Sequence, residues 1–247
     1  RMRLQEAGMA VHALPGLSDQ ALAEAQAEHD PDVLVVRSTQ VRAGHVAAAP
    51  GLQLIVRAGA GVNTIDVAAA SARGVFVANC PGMNAVAVAE LCFGHILNAD
   101  RRIADNVLAL RAGQWRKKHF SAARGLKGRQ LGVLGCGSIG RAVIQRARAF
   151  EMPVLAWSPS LDAARAADLG VERADSPLDV ARRADVLTVH LALTPATRGL
   201  IDEALFAALP EGAIFINTSR GELVDEAALG RAVQGRGLRA GLDVFAG

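Results

Sequence analysis

The stretch LGVLGCGSIGRAV, residues 131–143, decides how this chain is read. Leu131 to Leu134 are apolar throughout, as a strand buried on both faces must be, and a helical pattern starts a few residues later. Between the two stand Gly135, Gly137 and Gly140, spaced G-x-G-x-x-G. At such a turn the first glycine permits a tight bend, the second lets the backbone approach a pyrophosphate, and the third lets the helix pack on the strand. The start of the helix adds unpaired N–H groups and a partial positive charge. A glycine triplet alone fits any tight loop, but with a strand before it and a helix after it the triplet points to a dinucleotide site.

Working outward, the same alternation continues downstream. A strand at 131–135 and a helix at 138–150 are followed by the strand PVLAWS, a helix from Leu161, the strand DVLTVHL, a helix near Ala204, the strand AIFINTS, a helix at 225–235 and the strand RAGLDVF. Apolar strands separated by amphipathic helices predict a doubly wound parallel sheet. Upstream, DVLVVR (32–37), LQLIVR (52–57) and VFVANC (75–80) read as three more buried strands with alanine-rich helical stretches between them. Residues 84–115 read as one long helical segment, after which the strand signal restarts. The division is therefore expected near Cys80 and Pro81, with one domain over 1–80 and a dinucleotide-binding domain over 81–247. The chain opens RMRLQEAGMAVHAL, with no initiator methionine and a helical pattern already running, so an N-terminal strand is expected to be missing.

Composition narrows the function. With 247 residues, 51% of them hydrophobic, the chain can bury an extensive core, and a net charge of only +3 with basic residues spread among acidic ones argues against a nucleic-acid partner. Cys80, Cys92 and Cys136 are far apart and lack paired spacing, so neither a disulfide framework nor a metal site is expected, and a reducing cytoplasm is the default location. The longest apolar stretch, around Ala85 to Ala99, is interrupted by Glu90, His95 and Asn98, so no membrane span is expected.

Six motifs carry a resemblance. RAGAGVNTID (57–66), NCPGMNAVAVAEL (79–91), the glycine fingerprint, ADVLTVHLALTPATRGLID (184–202), INTSRGELVDEAAL (216–229) and GLDVF (241–245) follow one another as in the D-isomer-specific 2-hydroxyacid dehydrogenases, which the chain resembles over essentially its whole length. The resemblance implies an α/β fold of two doubly wound parallel-sheet domains, an incomplete flavodoxin-like substrate domain and a Rossmann dinucleotide-binding domain. It implies hydride transfer between NAD and a D-2-hydroxy acid, with a phosphorylated acid, 3-phosphoglycerate on the route to serine, as the first candidate. Glyoxylate, hydroxypyruvate and lactate-type substrates and formate remain alternatives, as does an NAD(H)-sensing protein of the same fold.

Residue by residue, the resemblance implies that Arg220 holds the carboxylate of the acid and polarises its carbonyl, a task suited to a planar and always-charged fork. The loop Gly59, Ala60, Gly61 and Val62 matches a substrate-carboxylate cradle, Ser138 and Ile139 the pyrophosphate turn beside Gly135, Gly137 and Gly140, and His190, Thr194 and Pro195 the wall of the cofactor groove. Thr218 and Asp243 match contacts on the nicotinamide side. Arg37 and Ser38 end one strand and Arg57 ends the next, and two cations at neighbouring strand ends suit a substrate phosphate. His190 is not taken as the acid/base, because the family's proton-transfer histidine belongs to a later motif. That histidine and its glutamate partner would lie beyond Gly247, so the chain is expected to be truncated.

Two further expectations concern cofactor choice and assembly. Ser158 stands where an NAD-preferring site carries a carboxylate for the ribose hydroxyls, which leaves NADP open beside NAD. Arg165, in the following helix, is either a partner for the extra phosphate or a solvated helix residue. Apolar residues spread around the helix from Asn84, with Val86, Val88, Leu91, Phe93, Ile96 and Leu97, lead to the expectation of a homodimer, with burial inside the domain itself as the alternative.

Overall fold

The computed structural model describes residues 2–246, which form two compact units, Arg1–Asn84 and Ala85–Gly247. In the first, α1 (Met2–Glu6) and α2 (Asp19–His29) precede β1 (Val33–Val36), β2 (Leu54–Arg57) and β3 (Phe76–Asn79), with α3 (Ala43–Ala48) and α4 (Val67–Ala72) as crossovers. The three strands are parallel and ordered β1-β2-β3, so among the described strands of this unit the order never reverses. One face of the sheet is closed by Val46, Ile55, Ile65, Ala70 and Val75. The other presents Val33, Val35 and Phe76, the last of them 76% exposed. The change of unit falls at the start of the long helix, between Asn84 and Ala85, past the Pro81–Gly82 turn.

The second unit holds β4 (Leu131–Leu134), β5 (Val154–Trp157), β6 (Glu172–Arg173), β7 (Val186–Val189), β8 (Ile214–Asn217) and β9 (Arg239–Leu242), all parallel in the order β6-β5-β4-β7-β8-β9. Its helices are α5 (Ala85–Arg101), α6 (Ile103–Arg111), α7 (Lys117–Phe120), α8 (Ser138–Ala149), α9 (Ala163–Leu169), α10 (Pro177–Arg183), α11 (Glu203–Ala208) and α12 (Glu226–Arg236). Every residue of β4, β7 and β8 is buried, which is why these strands read as unbroken apolar runs. On one face they meet Cys92, Phe93 and Ile96 of α5 and Val143 and Ile144 of α8. On the other they meet Val180, Leu205, Phe206 and Leu229 from α10, α11 and α12. Each such side chain contributes about 1.5–3 kcal/mol on full burial.

The helices start where the sequence supplies an acceptor. Asp162, Ser176, Asp202 and Asp225 each accept the backbone N–H three residues on, which satisfies one of the donors a helix start leaves open. Two elements differ from the sequence expectation. The long helical segment is broken at Arg102, whose φ of 54° is left-handed, and the Asn98 side chain takes the Ala104 N–H at 2.9 Å in place of a helical carbonyl. Between α9 and β7 the chain inserts β6 and α10. β6 has only two residues, both exposed, and therefore no apolar signature; α10 is announced by Ser176 and Pro177 but is only seven residues long. Among the described residues no helix is long and apolar enough to cross a membrane, and no cluster of His, Cys, Asp or Glu is placed to hold a metal ion.

A buried ion pair fastens the end of α5 to this sheet. Arg129 Nη1 donates to Asp100 Oδ1 at 3.0 Å with side chains only 6% and 1% exposed, Gly125 N–H donates to Asp100 Oδ2, and Arg129 Nη2 donates to the Asp185 carbonyl. Burial pulls the Arg129 guanidinium below its ordinary pKa, and the Asp100 charge opposes that. Replacing one partner strands the other charge out of water. Asp100→Ala is expected to cost about 3–5 kcal/mol in urea unfolding, and a loss under about 1 kcal/mol would show that the pair does not anchor the helix.

Candidate dinucleotide and acid-binding site

The strand order reverses between β4 and β7, and open parallel sheets bind ligands at the carboxyl ends of strands at such a reversal. There the chain leaves β4 through Gly135, whose φ of +103° is strained for any residue with a side chain. A Cβ at Gly135 would lie 2.5 Å from the His190 carbonyl oxygen, and one at Gly140 would lie 2.0 Å from the Gly135 oxygen. Both clashes are with backbone, so the fold itself demands these two glycines. Gly137, the N-cap of α8, is different: a Cβ there meets nothing within 4 Å. Its missing side chain keeps open the space in front of Ser138 and Ile139, where the free amides and positive end of α8 would receive a pyrophosphate.

Across the reversal, β7 runs into His190. Its Nε2 lies 3.0 Å from Thr188 Oγ1, which lies 3.2 Å from the buried Cys92 Sγ. Burial pulls the imidazole down from 6.5 to about 4, so near neutral pH the ring is neutral, with a proton on only one of its two nitrogens. The Nδ1 atom is shut from solvent without a partner among the described residues. Thr194 and Pro195 follow on an exposed loop, as a groove wall would need. That loop is held by Thr197, a residue not foreseen from the sequence: its hydroxyl takes the Thr194 N–H at 2.8 Å and donates to the Ala192 carbonyl at 2.7 Å. The T-x-x-T spacing was the available signal.

The exit of β8 is built just as tightly. Asn217 donates from Nδ2 to the Arg220 carbonyl and accepts the Ser219 N–H, while Ser219 Oγ donates to the Val189 carbonyl at 2.6 Å, tying this exit to the end of β7. Arg220 is half-buried, and its Nη1 donates to the Ser219 carbonyl at 2.6 Å. Asn217 was missed from the sequence, although a buried amide ending an apolar strand is itself a sign that a turn needs bracing. The Thr218 hydroxyl is buried without a partner among the described residues. Asp243 is exposed just past β9, its N–H on the Asn217 carbonyl. Ser158 is half-buried directly after β5.

In the first unit Arg57 folds over the glycine loop so closely that a Cβ on Gly59 would meet its guanidinium. Arg57 Nε is buried and without a partner among the described residues. The loop is partly engaged already: the Gly59 N–H is taken by the Arg57 carbonyl at 2.8 Å, so it is not the outward donor expected of it, and Asn79 Nδ2 holds the Ala60 carbonyl at 2.7 Å. Gly61 and Val62 continue the same half-buried loop. β1 and β2 are neighbours, but their register sets Arg57 opposite Val36, and Arg37 and Ser38 lie in the exposed bend that follows. The two cations are therefore not paired across the strands.

A parallel six-stranded sheet reversed at its centre, with a glycine loop and a helix start at the reversal and buried unpartnered polar atoms beside them, defines a dinucleotide-binding domain. Residues 93–247 match the family described as D-isomer specific 2-hydroxyacid dehydrogenase, NAD binding domain. The chain belongs to that family. It is 41% identical over 244 residues to a D-3-phosphoglycerate dehydrogenase of Methanocaldococcus jannaschii, covering 98% of this chain and 46% of that protein. It is 42% identical over 217 residues to a hydroxypyruvate reductase of Thermotoga maritima, covering 87% of this chain and 69% of that protein. The NAD+-bound 3-phosphoglycerate dehydrogenase of Entamoeba histolytica superimposes with a TM-score of 0.82 at 29% identity, over 99% of this chain and 74% of that one. The chain spans less than half the length of the Methanocaldococcus jannaschii and Mycobacterium bovis D-3-phosphoglycerate dehydrogenases it matches.

The two kinds of glycine separate in experiment. Gly137→Ala is expected to leave stability within about 0.5 kcal/mol and weaken NADH binding at least about tenfold, whereas Gly140→Ala should lower stability by about 1–3 kcal/mol. Denaturant unfolding and NADH fluorescence titration read the two. A Gly137→Ala chain that binds NADH as before would remove the pyrophosphate from this loop.

Proposed function

We propose that the protein carrying this chain oxidises a D-2-hydroxy acid with NAD+, and that its substrate is 3-phosphoglycerate, converted to 3-phosphohydroxypyruvate. The observation that carries the reading is Arg220, half-buried at the carboxyl end of β8 on a turn braced by Asn217 and Ser219. A guanidinium set by its own backbone turn is preorganised to grip a carboxylate with two parallel hydrogen bonds. NAD+, when bound, would accept the hydride from the hydroxyl-bearing carbon, and the hydroxyl proton would be released as the carbonyl forms. Gly137, Ser138 and Ile139 would hold its pyrophosphate, and Thr218 and Asp243 would lie on its nicotinamide side. His190, kept neutral by burial, serves as groove wall and not as proton carrier.

The phosphate in the substrate is supported by the phosphoglycerate dehydrogenases among the relatives and by the guanidinium of Arg57 lying against the Gly59 loop. Arg37 and Ser38, exposed in the bend after β1, are the further candidates in the first unit for a phosphate contact. Hydroxypyruvate is the second reading, favoured by the Thermotoga maritima relative. Initial rates with 3-phosphoglycerate, glycerate and lactate, and in reverse with hydroxypyruvate, separate the two. The phosphoglycerate reading expects the phosphorylated acid to be preferred, Arg37→Ala to erase the preference, and Arg220→Ala to lower kcat/KM by about 10²–10³. Lactate handled as well as phosphoglycerate would sink it.

Two copies of the chain are proposed to pair through α5 and α6. Phe93 and Ile96 of α5 turn into the core of their own unit, but Val86 and Leu91 stay 56% and 40% exposed. α6 adds Ile103, Val107, Leu108 and Leu110, all exposed, the third by 63%. A surface this apolar favours a partner. Sedimentation at micromolar concentration is expected to show a dimer that Leu108→Asp dissociates, and a monomeric parent chain would refute the pairing.

A further inference from the structure

A cavity of about 120 Å³ opens beside the glycine loop and the connection from β5 to α9. Cys136, Arg141, Ser160, Arg165 and Asp168 line it. Arg141 stands one residue past Gly140 in the first turn of α8, and Arg165 stands in the first turn of α9, its Nη1 donating to the Ser160 carbonyl at 3.1 Å. Neither arginine forms an ion pair with a carboxylate among the described residues. Both are nonetheless close to one thiol: burial pushes Cys136 up to about 11, while the charges of Arg165 and Arg141 act against that rise. Two cations thus face one space from two helices, against the single carboxylate of Asp168.

The position of this space matters as much as its charge. In a reversed parallel sheet the strand next to the glycine-loop strand ends beside the adenosine ribose, where a carboxylate accepts the ribose hydroxyls and repels a 2′-phosphate. Here β5 ends in Ser158, Pro159 and Ser160, and the nearest acid, Asp162, is taken up by capping α9 through the Arg165 N–H at 2.8 Å. Asp162 is thus turned to the start of α9 and Asp168 is the one carboxylate in the cavity lining, against two guanidinium groups placed to bind a phosphate.

We infer that the cavity between Arg141 and Arg165 receives the 2′-phosphate of NADP(H), so that this NAD-binding domain also accepts the phosphorylated dinucleotide. The inference rests on the dinucleotide reading of the second unit. Arg165 and Arg141 donate to the phosphate oxygens, Ser160 lines the same wall, and Ser158 is short enough to leave the ribose its added group.

Dissociation constants for NADPH and NADH, read from nicotinamide fluorescence on the intact chain, test it without any turnover. The parent chain is expected to bind the two within about tenfold of each other, and Arg165→Gln and Arg141→Gln each to lower the NADPH to NADH affinity ratio about tenfold, the scale of one charge-assisted hydrogen bond. Ser158→Asp should lower the same ratio by repulsion alone. Because the readout is a ratio, a variant that merely misfolds loses both ligands together and leaves the other two to decide. NADH binding with NADPH more than about 100-fold weaker, or a ratio that none of the substitutions moves, overturns the inference and leaves the dinucleotide reading intact. Failure of both dinucleotides to bind overturns that reading and the inference with it. Adenosine 2′,5′-bisphosphate should displace NADH at lower concentration than AMP, and inorganic phosphate matching it would show a general anion site instead of a ribose-phosphate one.

Discussion

The approach of Gly140 to the Gly135 carbonyl is the contact on which the second unit depends. A hydrogen in place of a side chain lets α8 start directly against the end of β4, closer than any other residue type would allow. With the helix pressed there, Val143 and Ile144 reach the sheet and join α5 in covering one face, while α10, α11 and α12 cover the other. The strand order must then run outward in both directions from β4 and β7, which opens a crevice at their carboxyl ends. The same contact that closes the core thus leaves the amides of α8 facing outward at the reversal.

Around that crevice, polar side chains serve mostly to hold backbone. Asn217 and Ser219 brace the turn that presents Arg220, Thr197 braces the loop carrying Thr194 and Pro195, and Thr188 links Cys92 to His190. A binding surface made of main-chain groups needs such bracing, because each loop residue would otherwise have its own conformational freedom to lose when ligand arrives. The neutral state of His190 belongs to the same logic. Burial lowers its pKa to about 4, so the ring adds shape to this crevice without adding charge.

The sequence disclosed most where a requirement is local. The glycine spacing and the buried strands β4, β7 and β8 act through their immediate neighbours, and both were legible. The break at Arg102 was not, because it depends on Asn98 reaching across a turn to Ala104, and nothing in a run of good helix formers signals a left-handed residue. β6 was invisible for the opposite reason: its two residues make ladder bonds but bury no side chain, so no apolar pattern marks them. In the candidate site, Arg220 could be placed from its strand, but the relation of Arg37 to Arg57 could not, since it turns on a register that pairs Arg57 with Val36. Of the cavity lining, Arg165 could be named from the sequence, but Arg141 could not, because only the folded chain brings the start of α8 against the start of α9.

The break at Arg102 also divides the chain into segments that the packing of their own unit constrains unequally. No residue of α6 is buried, whereas α5 places Ala85, Ala89, Cys92, Phe93, Ile96 and Asp100 in the core of its unit. A substitution in α5 is therefore filtered by folding before anything else can act on it. One in α6 passes that filter almost freely, so variation at Ile103, Val107, Leu108 and Leu110 among relatives would measure constraints other than the packing of this unit.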